Sequence, residues 1–252
     1  SWGAPVYTSP AAADLAGVRA GMLVAGLNAT PISTRVSFDY FALSLPESSG
    51  GLANDLRITE VMYNPPAGQA EFIELTNTGT APLNLEGVYF ENGNPFDQFT
   101  FGAITLQPGA FVVVTNNIPA FEAMYGASIQ VGGQYTGALN NGGERIILRD
   151  PSGNAILDFT YSDDAPWPEE ADGDGKSMIV MAPTGNYSDP LNWSYSVETN
   201  GHPGAPTVNV PDRDSDGWND AQEYVAGSNP FDAQSTFVVT DTSGNADTCS
   251  FT

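Results

Sequence analysis

Residues 212–223 read DRDSDGWNDAQE. Asp212, Asp214, Asp216, Asp220 and Glu223 occupy the first, third, fifth, ninth and twelfth positions, with Gly217 at the sixth. A spacing of two aims alternate side chains at one point, and the glycine permits the sharp turn that brings them together. Carboxylates that close repel one another unless a counter-charge sits among them. A hard cation supplies it: Ca²⁺ takes roughly six to eight oxygen ligands in a flexible cage, and a glutamate at the twelfth position closes that cage. The spacing therefore predicts a Ca²⁺ site with ligands Asp212, Asp214, Asp216, the Trp218 backbone carbonyl, Asp220 (directly or through water) and Glu223.

The elements around the loop decide what such a site can do. Downstream, NDAQEYVAG has the composition of a short helix that ends at Gly227, followed by a turn at Asn229 and Pro230. Upstream, APTVNVP carries two prolines and two valines, which exclude a long entering helix. A sensor needs a helix on each side, so the loop reads as a clip that orders a joint. The stretch DSDGWNDAQEYVAGSNPFD resembles the calcium repeats of thrombospondin type 3 and similar bacterial linkers, here as a single repeat. Extracellular loops of this kind bind at about 10⁻⁴ to 10⁻³ M, filled at millimolar calcium and empty in a calcium-poor cytoplasm. An extracellular or cell-surface, secreted location is the expectation.

Composition agrees. Thirty Asp and Glu against seven Lys and Arg give a formal charge of -23. Such a surface repels phosphate backbones and anionic lipid, so neither nucleic acid nor a membrane is an expected partner. With 41% apolar and 11% aromatic residues the chain is equipped for a packed core. Cys249 is the single cysteine, which leaves no internal disulfide framework. The longest apolar run, near Ala110 to Val114, is too short to span a bilayer. A first residue of Ser rather than Met suggests a processed chain or a piece of a longer one, and the partial patterns at both ends favour the piece.

Short strand patterns separated by Gly, Pro and Asn clusters run along the chain. Residues 1–46 hold two, near Val18 to Gly26 and Thr34 to Leu45, which resemble the closing strands of a jelly-roll or lectin-like β module; Asp39 reads there as a hydrogen-bonded strand carboxylate. ESSGGLAND, residues 47–55, reads as a linker. Within 52–206 the spacing predicts strands over 56–63, 70–77, 83–90, 98–106, 110–115, 144–150, 155–161 and 176–181, with a helical turn or two near 118–126. DPSGN, residues 150–154, reads as a hairpin connection. The calcium loop and helix occupy 207–235, and 236–252 reads as the start of a further β module.

The motifs LRITEVMYNPP, EFIELTNTGTAPLNLEGVYF, LQPGAFVVVT, NNGGERIILRD, DFTYSDDAPWP, DGDGKSM, NW and GHPGAP follow one another in that order. Together they resemble the lamin tail domain in its bacterial secreted form. The resemblance implies an immunoglobulin-like sandwich and a non-catalytic module of the kind found beside hydrolases or other surface domains. The fold class expected is thus all-β: an immunoglobulin-like antiparallel β-sandwich with flanking partial β modules and one short calcium loop-helix.

Other chemistry finds less support. ADGDGKS, from Ala171, lacks the first glycine of a phosphate loop, since Glu170 stands there, and is surrounded by carboxylates. Asp172 and Asp174 leave a second cation open as an alternative, but two carboxylates are too few alone, and a turn before a strand is the expectation. In EFIEL, Phe72 and Glu74 share one face, so Glu74 is expected to be partly buried and paired with Arg57 or Arg145. Glu60, Glu71 and Glu74 read as sheet surface, where structural pairing outweighs acid–base catalysis. His202, the single histidine, lies in a turn and cannot build a zinc triad or a nucleophile relay. Trp167 and Trp193 read as core; with Trp2 and Trp218 they could otherwise stack sugars. Asn28, Asn186 and Asn192 head glycosylation sequons.

No enzyme is expected within these residues. The function expected is structural or adhesive, within a large exported surface protein, with neighbouring domains of the same polypeptide as first partners and extracellular polysaccharide or like subunits as further ones. Two alternatives remain at this point: a substrate- or wall-binding segment of a secreted hydrolase, and a filament subunit assembled by strand addition.

Overall fold

In the computed structural model the described residues are 51–91 and 98–235, together with the backbone of 238–239 and 249–250. All fall in the unit spanning Pro46–Thr252. The expected strand pair before Pro46, with Trp2, Asn28 and Asp39, lies outside them, as does the side chain of Cys249.

The chain enters through one helical turn, α1 (Leu52–Asp55), inside the stretch read as a linker. Strands β1 (Leu56–Met62), β2 (Phe72–Asn77), β3 (Leu83–Asn84), β4 (Tyr89–Phe90), β5 (Phe99–Thr100), β6 (Thr105–Leu106) and β7 (Phe111–Thr115) follow. After α2 (Ile118–Tyr125) come β8 (Val131–Gln134), β9 (Glu144–Arg149), β10 (Ala155–Tyr161), β11 (Met178–Val180) and β12 (Trp193–Tyr195). Helix α3 (Asp220–Ala226) precedes a last pair, β13 (Val238–Val239) and β14 (Cys249–Ser250).

Two sheets face each other. One has the order β12-β11-β1-β2-β7-β8, the other β10-β9-β4-β5, and β3 pairs with β6 beside them. All pairings are antiparallel except β7 with β8. Among the described residues the regular elements are mostly strands with few helices, an all-β immunoglobulin-like sandwich. Alternation along β9 shows how the sequence sorts its faces: Glu144, Ile146 and Leu148 are buried, and Arg145 is exposed. Ile58, Val61, Ile73, Leu75, Val112, Val114, Ile146, Leu148, Phe159 and Trp193 fill the space between the sheets.

A bulge in β1 controls the outer face. Pairing with β2 shifts between Ile58 and Glu60, so Ile58 and Val61 both point into the core while Met62 joins the opposite side. On that side Met62, Phe72 and Val113 pack under Phe121 of α2. The α2 cap is local: Asn117 Oδ1 accepts from Ala120 N at 3.1 Å.

The expected strands over 83–90 and 98–106 are each interrupted, because Gly87 at φ 80° and the bends between β5 and β6 turn the chain back. The pattern had no signal for β8, whose VGGQ lacks alternation, or for the three-residue β12. Gly132 and Gly133 have a packing reason: a Cβ would stand 2.7 Å from Phe101 and 2.6 Å from Phe99 respectively. Among the described residues no helix is long and apolar enough to cross a membrane.

Candidate metal centre

From β12 the chain returns across the outer sheet face through residues 197–211 and enters the acidic loop. Turning there needs two left-handed residues, Ser215 at φ 62° and Gly217 at φ 100°. Short-range hydrogen bonds wind the loop around its own carboxylates. Gly217 N donates to Asp212 Oδ2 at 2.9 Å, Trp218 N to Asp216 Oδ1 at 2.8 Å, and Asp216 N to Asp214 Oδ1 at 3.2 Å. Asn219 caps α3 in a reciprocal box with Gln222, and Gly227 at φ 78° ends the helix. That helix fixes Glu223 one turn in, where it is buried.

The winding gathers Asp212, Asp214 and Asp216 so that one oxygen from each lies within 4.8 Å of the others. The oxygens not used by loop amides are the informative ones. Asp212 Oδ1, Asp214 Oδ2 and Glu223 Oε2 are buried and have no hydrogen-bond partner. Glu223 is 1% exposed, and its other oxygen accepts from Ser228 Oγ at 3.3 Å. Burial, then the charges of Asp214 and Asp216, push the Glu223 carboxyl up to about 7. Asp214 is also raised, first by burial and then by the neighbouring Asp216 and Asp212 charges. Glu223 lies outside that group of three but near enough for the Asp214 and Asp216 charges to raise it, and carboxylate oxygens without donors are the kind of donor set a hard cation takes.

Asp220 is turned elsewhere. Its Oδ2 accepts from Arg213 Nε at 2.6 Å and from Ser194 Oγ, and its Oδ1 accepts from Arg213 N at 3.1 Å. The pair is sealed, with side-chain exposures of 7% for Arg213 and 0% for Asp220. Arg213 Nη2 also donates to Trp193 O at 3.1 Å, and its guanidinium carbon lies 4.0 Å over the Phe231 ring. Arg213 is not an oxygen ligand, so the carboxylate spacing carries no signal for it. The signal lies instead in one of only seven basic residues, set inside an acidic loop.

The remaining sequence-flagged residues divide clearly. Trp193 is fully buried and Trp167 packs against the same core, as expected, whereas Trp218 is 47% exposed. Asp172 accepts from Asn64 Nδ2 at 2.7 Å in the turns before β11. The expected partners of Glu74 are corrected: Arg145 pairs with Asp158, and Arg57 donates to the Leu56 and Ala53 carbonyls. Glu74 instead accepts from Thr59 Oγ1 at 2.7 Å and from Gly204 N. Glu60, Glu71 and Glu74 are buried rather than on open sheet surface, because 197–204 and the segment around Leu139 cover them. His202 is exposed and offers its backbone amide, not its ring, to Glu60 at 2.9 Å. A groove of about 260 Å³ on the outer face, between Thr59, Phe111, Met181 and Pro206, has no titratable lining residue.

Residues 52–163 match the family model described as the Lamin Tail Domain. The match spans β1 to β10 and stops before β11, β12 and the acidic loop. It is an immunoglobulin-like structural family, in keeping with the sandwich of β1 to β10. No curated protein matches the chain.

Proposed function

We propose that this chain is a non-catalytic structural module of an exported surface protein, and that Ca²⁺ in loop 212–223 orders the segment that follows the sandwich. The observation that carries the reading is the set of three buried carboxylate oxygens without partners, on Asp212, Asp214 and Glu223. Asp212, Asp214, Asp216, the Trp218 carbonyl and Glu223 would hold the cation. The ion supplies positive charge to a cluster that otherwise repels itself, and the chain's own contribution is the turn and the helix that aim the oxygens.

An extracellular setting suits this reading, because a site in the range of extracellular calcium modules, about 10⁻⁴ to 10⁻³ M, is filled only at millimolar calcium. The partners implied are the neighbouring domains of the same polypeptide, spaced by a joint that calcium stiffens. Isothermal titration of the chelator-treated chain with CaCl₂ tests the reading. Binding in that range, weakened about tenfold or more by Asp214→Asn and by Glu223→Gln, is expected. Absence of heat and of protection at millimolar calcium overturns it.

A further inference from the structure

We infer that Arg213 is the positioning residue of the metal loop: it holds Asp220 out of the cation cage and against β12, so that the loop and the sandwich open as one unit. The inference rests on the cation reading above and concerns what the bound ion does to the rest of the fold.

Three donors reach the two Asp220 oxygens: the Arg213 guanidinium, the Arg213 amide and the Ser194 hydroxyl. Three donors leave this carboxylate little acceptor capacity, and the charge it already faces is the buried Arg213 guanidinium. The ninth vertex of the cage is therefore left to water, and Asp220 is a fastener. Its anchor points are structural. Ser194 lies in β12, next to Trp193, whose ring is buried in the core and whose carbonyl accepts from Arg213 Nη2. Asp220 N donates to Pro211 O at 2.9 Å, which closes the start of the loop onto the start of α3. One turn further along the same face of the helix, Tyr224 Oη accepts from Asn186 N at 3.3 Å.

A ligand stabilises whatever opens together with its site, and leaves untouched anything that can open without it. If the loop were a tether hanging from β12, calcium would not change the stability of the sandwich. With Arg213 bridging the loop and β12, it must.

The test is hydrogen exchange by mass spectrometry on the full chain, reading peptides of β1 and β2, alongside isothermal titration with CaCl₂. At calcium about ten times the dissociation constant, exchange of the core amides that requires global opening is expected to slow about tenfold. In Arg213→Met/Asp220→Asn, which removes both charges of the buried pair, calcium is expected to bind within about threefold of the unchanged affinity while the core slowing disappears. Asp220→Asn alone keeps the geometry and is expected to retain binding, whereas Asp214→Asn loses about tenfold or more. Core exchange indifferent to calcium in the unaltered chain, with titration showing binding, would overturn the coupling. Full slowing in the double variant would remove Arg213 from the role. Weakened binding in Asp220→Asn to the extent seen in Asp214→Asn would make Asp220 a ligand and end the inference. No binding by titration at all would instead bring down the cation reading itself.

Discussion

Glu60 and Glu74 stand opposite each other in the β1–β2 ladder, both about 1% exposed. Their partners are hydroxyls and backbone amides, not cations. Glu60 Oε1 accepts from Ser177 Oγ and His202 N, and Glu74 accepts from Thr59 Oγ1 and Gly204 N. The bulge after Ile58 makes this meeting possible by moving Glu60 to the outer face. The two acids thereby pin residues 202 and 204, part of the strap that leads from β12 to the acidic loop.

Stability should fall with rising pH on account of this pair. Burial pushes Glu60 up to about 7 against hydrogen bonds that lower it, with the Glu198 charge adding a little; burial and then the Glu60 charge push Glu74 up to about 8. The unfolded chain releases these protons near the ordinary value of 4.5. Both folded values are raised, so the stabilisation is complete below that value and is lost as pH climbs through 7 and 8. Each unit of separation is worth about 1.4 kcal/mol, so the loss for the pair is on the order of several kcal/mol, with about 8 kcal/mol as its upper bound. Asp150 and Asp158, held low by their hydrogen bonds, titrate below this window. Urea unfolding at about pH 5.5 and about pH 8.5, with calcium saturating in both, measures it; Glu60→Gln and Glu74→Gln should each flatten the difference. A more stable protein at the higher pH would contradict the assignment.

Gly201 makes the strap's close approach possible. At φ 77°, a Cβ there would lie 2.1 Å from Glu60 Oε1 and 2.8 Å from Ser177 Oγ. Gly201→Ala is expected to lose about 2 to 4 kcal/mol, the sum of backbone strain and overpacking. Gly68, at φ 87° with open space around it, isolates the backbone part. Gly68→Ala should cost only about 1 kcal/mol in the same denaturation series.

These two relationships show where sequence reasoning stops. Alternation in EFIEL was enough to put Glu74 on the Phe72 face, and the turn clusters were enough to separate most of the strands. The carboxylate spacing located Asp212, Asp214 and Asp216 as neighbours because a six-residue turn with one glycine leaves few other ways to wind. What could not be read was long-range. Glu60 finds His202 across 142 residues, and Asp220 finds Ser194 across 26. No local periodicity encodes which loop folds over which sheet face. The ninth-position aspartate carries the residue type a ligand needs, yet its neighbour in sequence space, Arg213, draws it away. The two-residue strands gave no pattern because a pattern needs several residues to repeat.

Trp193 should dominate core stability. Its ring is stacked among Phe159 at 5.4 Å, Tyr187 at 5.7 Å and Trp167 at 5.9 Å, and its Nε1 donates to Tyr187 O at 2.9 Å. Trp193→Ala is expected to cost about 3 to 5 kcal/mol by thermal or urea unfolding. Trp193→Phe should cost less, retaining part of the packing while leaving the Tyr187 carbonyl without its donor. The exposed Arg145–Asp158 pair supplies the contrast: removing it with Arg145→Ala should leave the unfolding curve nearly unchanged, since solvent screens such pairs.

Terbium offers an independent view of the metal loop. It takes oxygen ligands of the calcium kind and emits when a nearby indole passes it energy. Trp218 sits at the seventh position, beside the carboxylate cluster, with its side chain half in solvent. Excitation of indole in the terbium-loaded chain should therefore give green emission that added CaCl₂ displaces. Trp218→Leu should abolish most of that emission while calcium affinity by titration stays within about threefold, because the ligand proposed at this position is the backbone carbonyl, which survives the change. Asp214→Asn should lose both signals together. Emission that persists in Trp218→Leu would mean that a second indole passes energy to the ion, Trp193 first among the described ones because its carbonyl accepts from Arg213 of the loop. A calcium affinity that falls with the indole would mean the ring itself shields the cage, so that water, and not only ligand geometry, sets how tightly the loop closes.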